Sequence, residues 1–323
     1  MTNEATGAGD AAMAHLDQAV MGDVPRLSGA DLLAAAGVPA EVAARLWRSL
    51  GVPAARAADG PAFYEADLAA LRGALEYLGP DPTSDLGLQQ VRVLAGAMAR
   101  VAEAAVDAWE AGNSGLADPS GLADRRAALE GLAVYVLRRQ LYAALRRRLS
   151  QRDEAHGAPV IVGFVDLVRF TALTESVAEE ELARVVARFE EVAYETVVSG
   201  GGRIVKTIGD AVMFVADAPE AAVGSALALV EAYNQDPLVP PARAGLAAGP
   251  VLAWEGDYFG RPVNLAARIV EAARARTVVT DAALHDALVG STELEWSPLP
   301  PKRLKGCGRP QLWAVRARSA PVA

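Results

Sequence analysis

Hydrophobic and polar positions follow two different rhythms along this chain, and the change falls between Gln151 and Pro159. From His15 to about Gln151 apolar residues recur every three to four positions, punctuated by Gly, Pro and Asp, a period that predicts helices packed by one face. Ser28 to Gly37-Val38-Pro39 reads as a short helix, and Glu41 to Leu50 as a second that stops at Gly51-Val52-Pro53. A third follows Tyr64 and reaches Leu78 before Gly79-Pro80. Pro82 to Gly112 and Arg125 to Gln151 supply the remaining helices, with turns expected at Asn113-Ser114-Gly115 and Asp118-Pro119-Ser120-Gly121. After Pro159 the pattern shortens to strands and isolated helices. Pro159 to Val165 is a buried strand running into Asp166, and Ser176 to Ser199 is a long helix with Leu182, Val185, Val186, Phe189, Val192 and Ala193 on one side. Two β-rich runs flank Ile208-Gly209-Asp210, the composition of a tight hairpin turn.

A helix from Pro219 to Asn234 comes next, then a second expected hairpin from Ala242–Leu246 through Gly249-Pro250 to Val251–Trp254. Strand, helix, two strands, helix, strand is the order of a ferredoxin-like βαββαβ unit, so the fold class is α+β with an all-helical N-terminal domain. Arg261 to Ala273 predicts a helix whose Val263, Ala266, Ala267 and Val270 form the apolar stripe, with Asn264 and Arg268 four apart on the flank. A strand (Thr277–Thr280), a short helix (Asp281–Val289) and a return hairpin (Leu294–Arg316) complete the chain.

At 323 residues the sequence holds two domains. The expected division is a disordered leader at 1–14, a helical domain at 15–124, a linker helix and junction at 125–157, and an α+β domain at 158–323. A net charge of -9 disfavours general affinity for nucleic acid. The Ser28–Leu50 segment resembles a helix-turn-helix, yet its second helix offers only Arg45 and Arg48 around Trp47, too few cations for a DNA reader. No apolar stretch is long enough to span a membrane, and the lone Cys307 fits a reducing compartment, so a cytoplasmic location is expected. Arg125 to Arg152 carries eight Arg against Glu130, an amphipathic helix with a charged face that is also placed to act as a movable linker. Among the three histidines only His156, at the junction, is placed to respond to pH there.

The chemistry gathers at strand ends. Asp166 and Asp210 close apolar runs on either side of a helix, and two carboxylates that converge need a proton or a cation between them. With no Cys or His close by in sequence, an oxygen-loving Mg²⁺ or Mn²⁺ is the natural guest. Lys206 and Asp257 add a donor and an acceptor able to read a base edge. Donation to adenine N1 and acceptance from its N6 amino group favours ATP, since guanine reverses both demands.

Phe164-Val165-Asp166-Leu167 with Phe170-Thr171, then Lys206-Thr207-Ile208-Gly209-Asp210, then Asp257-Tyr258-Phe259-Gly260 with Val263-Asn264-Leu265-Ala266-Ala267-Arg268, resemble the three signature blocks of the class III nucleotidyl cyclases. The resemblance covers about half the chain, from Ala158 to Arg316, and the helical part resembles the regulatory domain of soluble bacterial adenylyl cyclases. It implies two divalent ions per site on Asp166 and Asp210, with the Leu167 carbonyl contributing. One ion would ionise the ribose 3′-hydroxyl and the other would hold the β- and γ-phosphates. Asn264 would orient the ribose, Arg268 would stabilise charge on the α-phosphate, and Phe170, Thr171 and Lys305 would contact phosphate oxygens. Products would be 3′,5′-cyclic AMP and pyrophosphate. It also implies a head-to-tail homodimer, because the acids of one chain meet the Asn and Arg of the other. A catalytically silent ATP sensor and a DNA-binding regulator are the alternatives. Departures from the family pattern are Arg261-Pro262 after Gly260, and Arg169 beside the first acid.

Overall fold

The computed structural model describes residues 13–51, 61–112, 119–152 and 159–318. The expected leader and His156 fall wholly or largely outside them. The chain divides into two compact units between Arg146 and Arg147.

In the first unit, a π-type turn α1 (Asp17–Met21) precedes α2 (Gly29–Ala36), α3 (Ala40–Ser49), α4 (Glu65–Leu78), α5 (Asp85–Ala111) and α6 (Pro119–Arg152), whose last turns cross into the second unit. Ser28 and Asp31 cap α2 reciprocally, satisfying amides that a helix start leaves without partners. Leu32, Leu46, Trp47, Leu68, Leu71, Leu88 and Val91 form the core. The helix-turn-helix segment is present as α2–α3, and Trp47 is a core residue packed edge-on against Phe63. One boundary moves: the long basic helix starts at Pro119, six residues before Arg125, because proline suits a first helical turn where its missing amide costs nothing.

The second unit carries β1 (Val160–Leu167), α7 (Phe170–Thr174), α8 (Glu179–Ser199), β2 (Arg203–Ile208), β3 (Ala211–Ala216), α9 (Pro219–Gln235) and β4 (Ala242–Gly249). After them come β5 (Leu252–Trp254), β6 (Asp257–Phe259), α10 (Arg261–Ala272), β7 (Val278–Asp281), α11 (Ala282–Leu288), β8 (Leu294–Pro298) and β9 (Leu312–Ala317). Seven strands form one mixed sheet in the order β2-β3-β1-β4-β7-β9-β8, parallel only at β4–β7. Its first four strands have the ferredoxin-like arrangement.

Strand alternation sorts side chains onto the two faces. Ile161, Val165 and Leu167 of β1 pack with Phe189 of α8 and Leu229 and Tyr233 of α9. Val162 and Phe164 pack with Ala266, Ile269 and Val270 of α10 on the other side. By the same parity Asp166 of β1 and Arg243 of β4 belong to the α10 face.

The structure departs from the sequence pattern at β4 and on α10. The second hairpin does not form, since both edges of β4 are already taken by β1 and β7. Leu252–Trp254 pairs instead with Asp257–Phe259 in a separate two-stranded arm. The buried stripe of α10 is Pro262, Ala266, Ile269 and Val270, while Val263 and Ala267 flank it half-buried. The reason is how closely α10 lies on β4. A Cβ at Gly245 would sit 2.3 Å from the Val270 nitrogen and 2.8 Å from the Ala266 carbonyl oxygen, so only glycine lets the two backbones meet.

Candidate active site

The two acids converge because β1 lies beside β3. Asp166 pairs with Ala211 in register, and the Leu167 amide donates to the Asp210 carbonyl at 3.0 Å, which stitches the β2–β3 turn to the end of β1. Gly209 makes that turn with φ 60°.

Asp166 is also the cross-strand partner of Arg243. Arg243 donates to Asp166 Oδ2 from Nε (2.9 Å) and Nη2 (2.6 Å), and from Nη1 to the carbonyls of Glu271 (3.1 Å) and Ala273 (3.3 Å) at the end of α10. Burial pushes the Asp166 carboxyl above its ordinary range; Arg243 opposes the shift, while the charges of Asp210 and Glu271 add to it.

That environment suits a hard cation. Asp166 Oδ1 and the Asp210 carboxylate carry no hydrogen bond among the described residues, and a carboxylate held up by burial and a like charge gains from a nearby positive ion. Among the described residues no group of three or more His, Cys, Asp or Glu could hold a metal. Two carboxylates are nevertheless the set through which Mg²⁺ is commonly held, with substrate phosphates and water completing its octahedron.

Lys206 on β2 and Asp257 at the start of β6 form an ion pair, and Asp257 Oδ1 accepts from the Tyr258 amide at 2.8 Å. Beside it Arg203 donates to the Tyr258 hydroxyl and lies 5.4 Å from the ring centroid. These two contacts fasten the β5–β6 arm onto β2. The arm's turn, Glu255-Gly256, has φ of 56° and 80°, the sign pattern of a two-residue hairpin that follows strand twist.

Asn264 and Arg268 lie one helical turn apart on α10. Asn264 makes no side-chain hydrogen bond among the described residues, and Arg268 Nη1 donates to Glu271 Oε1 (2.6 Å) and Oε2 (2.8 Å). Neither residue bonds to Asp166 or Asp210 within the chain.

Phe170 and Thr171 open α7; Phe170 packs against the core and Thr171 is exposed. Lys305 is exposed on a tight turn closed by Leu304 and Gly308, and the buried Leu304 seats that turn in the α10-side core.

Sequence reasoning missed Arg243, Glu271 and the Arg203–Tyr258 contact. Glu271 was legible as the acid three residues after Arg268. Arg243 was a lone charge among small apolar residues of a strand, which signals a specific partner without naming it.

The family model for the adenylate and guanylate cyclase catalytic domain matches residues 153–317. The chain is 34% identical over 288 residues to the adenylate cyclase of Streptomyces coelicolor, covering 85% of this chain and 75% of the relative. It is 32% identical over 300 residues to the pH-sensitive adenylate cyclase of Mycobacterium tuberculosis, covering 87% and 75%. Among solved structures, the guanylate cyclase domain from Catenaria anguillulae in complex with GTP is similar at 23% identity and a TM-score of 0.44, over 50% of this chain and 98% of that one. With its catalytic domain behind an all-helical N-terminal region, the chain belongs to the class III nucleotidyl cyclases.

Proposed function

We propose that the chain converts ATP to 3′,5′-cyclic AMP and pyrophosphate in a homodimer whose two active sites each draw on both chains. The observation that carries the choice of base is the Lys206–Asp257 pair, which sets an ammonium donor beside a carboxylate acceptor. Adenine offers the matching pattern, an N1 acceptor next to an N6 amino donor, so the base can exchange into the pair and keep both partners satisfied. The Streptomyces coelicolor relative, an adenylate cyclase by name, supports the same assignment.

Asp166, Asp210 and the Leu167 carbonyl are the ligands assigned to two Mg²⁺ or Mn²⁺ ions, which when bound supply Lewis-acid charge to the 3′-hydroxyl and the triphosphate. The chain's own groups do the rest. Arg243 holds Asp166 in place and favours its ionised form. Asn264 orients the ribose, and Arg268 directs Nε and Nη2, both without protein acceptors among the described residues, toward the α-phosphate as it gains negative charge. Backbone amides of Phe170 and Thr171, and the ammonium of Lys305, meet phosphate oxygens.

Sharing between chains fits the bonding within one chain: Arg243 takes Asp166, Glu271 takes Arg268, and neither Asn264 nor Arg268 bonds to Asp166 or Asp210 among the described residues. A second copy would supply the missing half of each site. The helical region is assigned a regulatory role, so a chain starting at about Ala155 should differ several-fold in specific activity from the full chain.

Turnover of ATP and GTP with Mn²⁺, read as cyclic AMP and cyclic GMP, tests the assignment. Preference for ATP that is lost in Lys206→Ala/Asp257→Ala supports it, and a native preference for GTP overturns it.

A further inference from the structure

One acid on α10 touches both guanidinium groups of the site. Glu271 receives Arg268 Nη1 on both carboxylate oxygens, at 2.6 and 2.8 Å, and its main-chain carbonyl accepts from Arg243 Nη1 at 3.1 Å. The side-chain contact engages a single nitrogen of Arg268. Nε–H and the Nη2 amino group therefore remain together as an open fork, the edge of a guanidinium that matches two phosphate oxygens.

An arginine on a solvent-facing helix surface samples many rotamers, and ordering it on substrate costs conformational freedom. A carboxylate one turn further along can take up that ordering before substrate arrives, at the (i, i+3) separation found here. We propose that Glu271 is a positioning residue for the cyclase reaction: it fixes the Arg268 guanidinium with its Nε/Nη2 edge presented to the α-phosphate. The inference rests on the role given above to Arg268. Because the Arg243 contact uses main chain, replacing the Glu271 side chain keeps that hydrogen bond, while it removes one negative charge near Asp166. The Arg268→Ala background separates the two effects, since a change acting through Asp166 persists there and one acting through Arg268 does not.

Glu271 follows Ile269 and Val270, both buried, and is itself exposed. Packing does not require a carboxylate there, so substitution should leave the fold unchanged, with a melting temperature within about 2 °C of wild type.

The test is steady-state cyclase kinetics of full-length Glu271→Ala and Glu271→Gln, alone and combined with Arg268→Ala. An interaction that matters only in the transition state changes kcat and leaves KM alone. Glu271→Ala should lower kcat about three- to tenfold with KM unchanged within about twofold. Glu271→Gln, whose amide oxygen still accepts from Nη1, should recover part of the loss. In the Arg268→Ala background the same substitution should have no further effect. Unchanged kcat in Glu271→Ala, or an equal loss with and without Arg268, would overturn the inference while leaving the role of Arg268 intact. Wild-type activity in Arg268→Ala would sink that role and the inference together, and is a distinguishable result. If Arg268→Ala falls below detection, Arg268→Gln serves as the background, since its amide cannot reproduce the open fork.

Discussion

The acid end of the site and the α10 face are built on the same side of one sheet, but they are held by different means. At the acid end, strand register decides: Asp166 and Arg243 face each other across β1 and β4, are mostly buried, and have fixed partners. On α10, helical spacing decides: Arg268 is 39% exposed, Glu271 is 59% exposed, and Asn264 has no side-chain partner among the described residues. The contrast separates an Asp166–Arg243 pair fixed by strand register from a helix surface left open, and the Asp210 carboxylate, without a hydrogen bond among the described residues, is the open group at the acid end. A mostly buried carboxylate raised above its ordinary range gains from a nearby positive charge, which fits the cation role proposed for it. A solvent-facing amide and a half-engaged guanidinium leave donors open for the contacts proposed above.

This difference can be broken most severely at the acids. Asp166→Ala or Asp210→Ala should cost several kcal/mol of transition-state stabilisation, on the order of 10³-fold in kcat, with raised Mn²⁺ unable to restore it. Arg268→Ala should be milder, about 10²- to 10³-fold, because it removes one charge aimed at the transition state and leaves the ions in place. Both are read in the same cyclic-nucleotide assay. Activity within tenfold of wild type in either acid variant would contradict the assigned roles.

Base choice should move less. Lys206→Ala/Asp257→Ala should narrow the ratio of ATP to GTP kcat/KM by about ten- to hundredfold, the discrimination that one or two buried hydrogen bonds carry. It also cuts one of the two contacts that fasten the β5–β6 arm to β2, so the Arg203–Tyr258 contact is the control: Tyr258→Phe should weaken the arm and leave base choice alone.

The smallest effect concerns pH. Burial already holds the Asp166 pKa up, and Arg243 pulls it down, so Arg243→Ala should raise it further. A carboxylate whose folded pKa lies above its unfolded value contributes stability below the unfolded pKa, and loses it as pH rises through the folded one. The variant should therefore lose more stability at neutral than at acidic pH. In the activity profile the acid limb should shift upward, because the cation needs the ionised acid. An acid limb that stays in place, or moves down, would remove Arg243 from control of Asp166.

Much of this was legible in the residues. The period change located both architectures, and the ends of apolar runs located Asp166 and Asp210. What could not be read were pairings that depend on register. Arg243 finds Asp166 only because β4 lies beside β1, and no local spacing encodes that adjacency. The arm was misplaced for a related reason: Leu252–Trp254 looks like a partner for Ala242–Leu246 until β1 and β7 are seen to occupy both edges of β4. On α10 the stripe was displaced toward Pro262 and Ile269 by the contact at Gly245, which sequence reads as any other glycine. Glu271 was the opposite case, visible by spacing and overlooked because an acid three residues from an arginine usually signifies only a solvated helix face.

The proposed sites require that the acids and the arginine of one active site come from different chains. Co-expressed or mixed Asp210→Ala and Arg268→Ala chains answer it. If dimers form at random, half are mixed, and in each mixed dimer one of the two sites is intact, so activity should return to about one quarter of wild type. Recovery no greater than the sum of the two separate variants, with exchange between chains shown to be complete, would contradict shared sites.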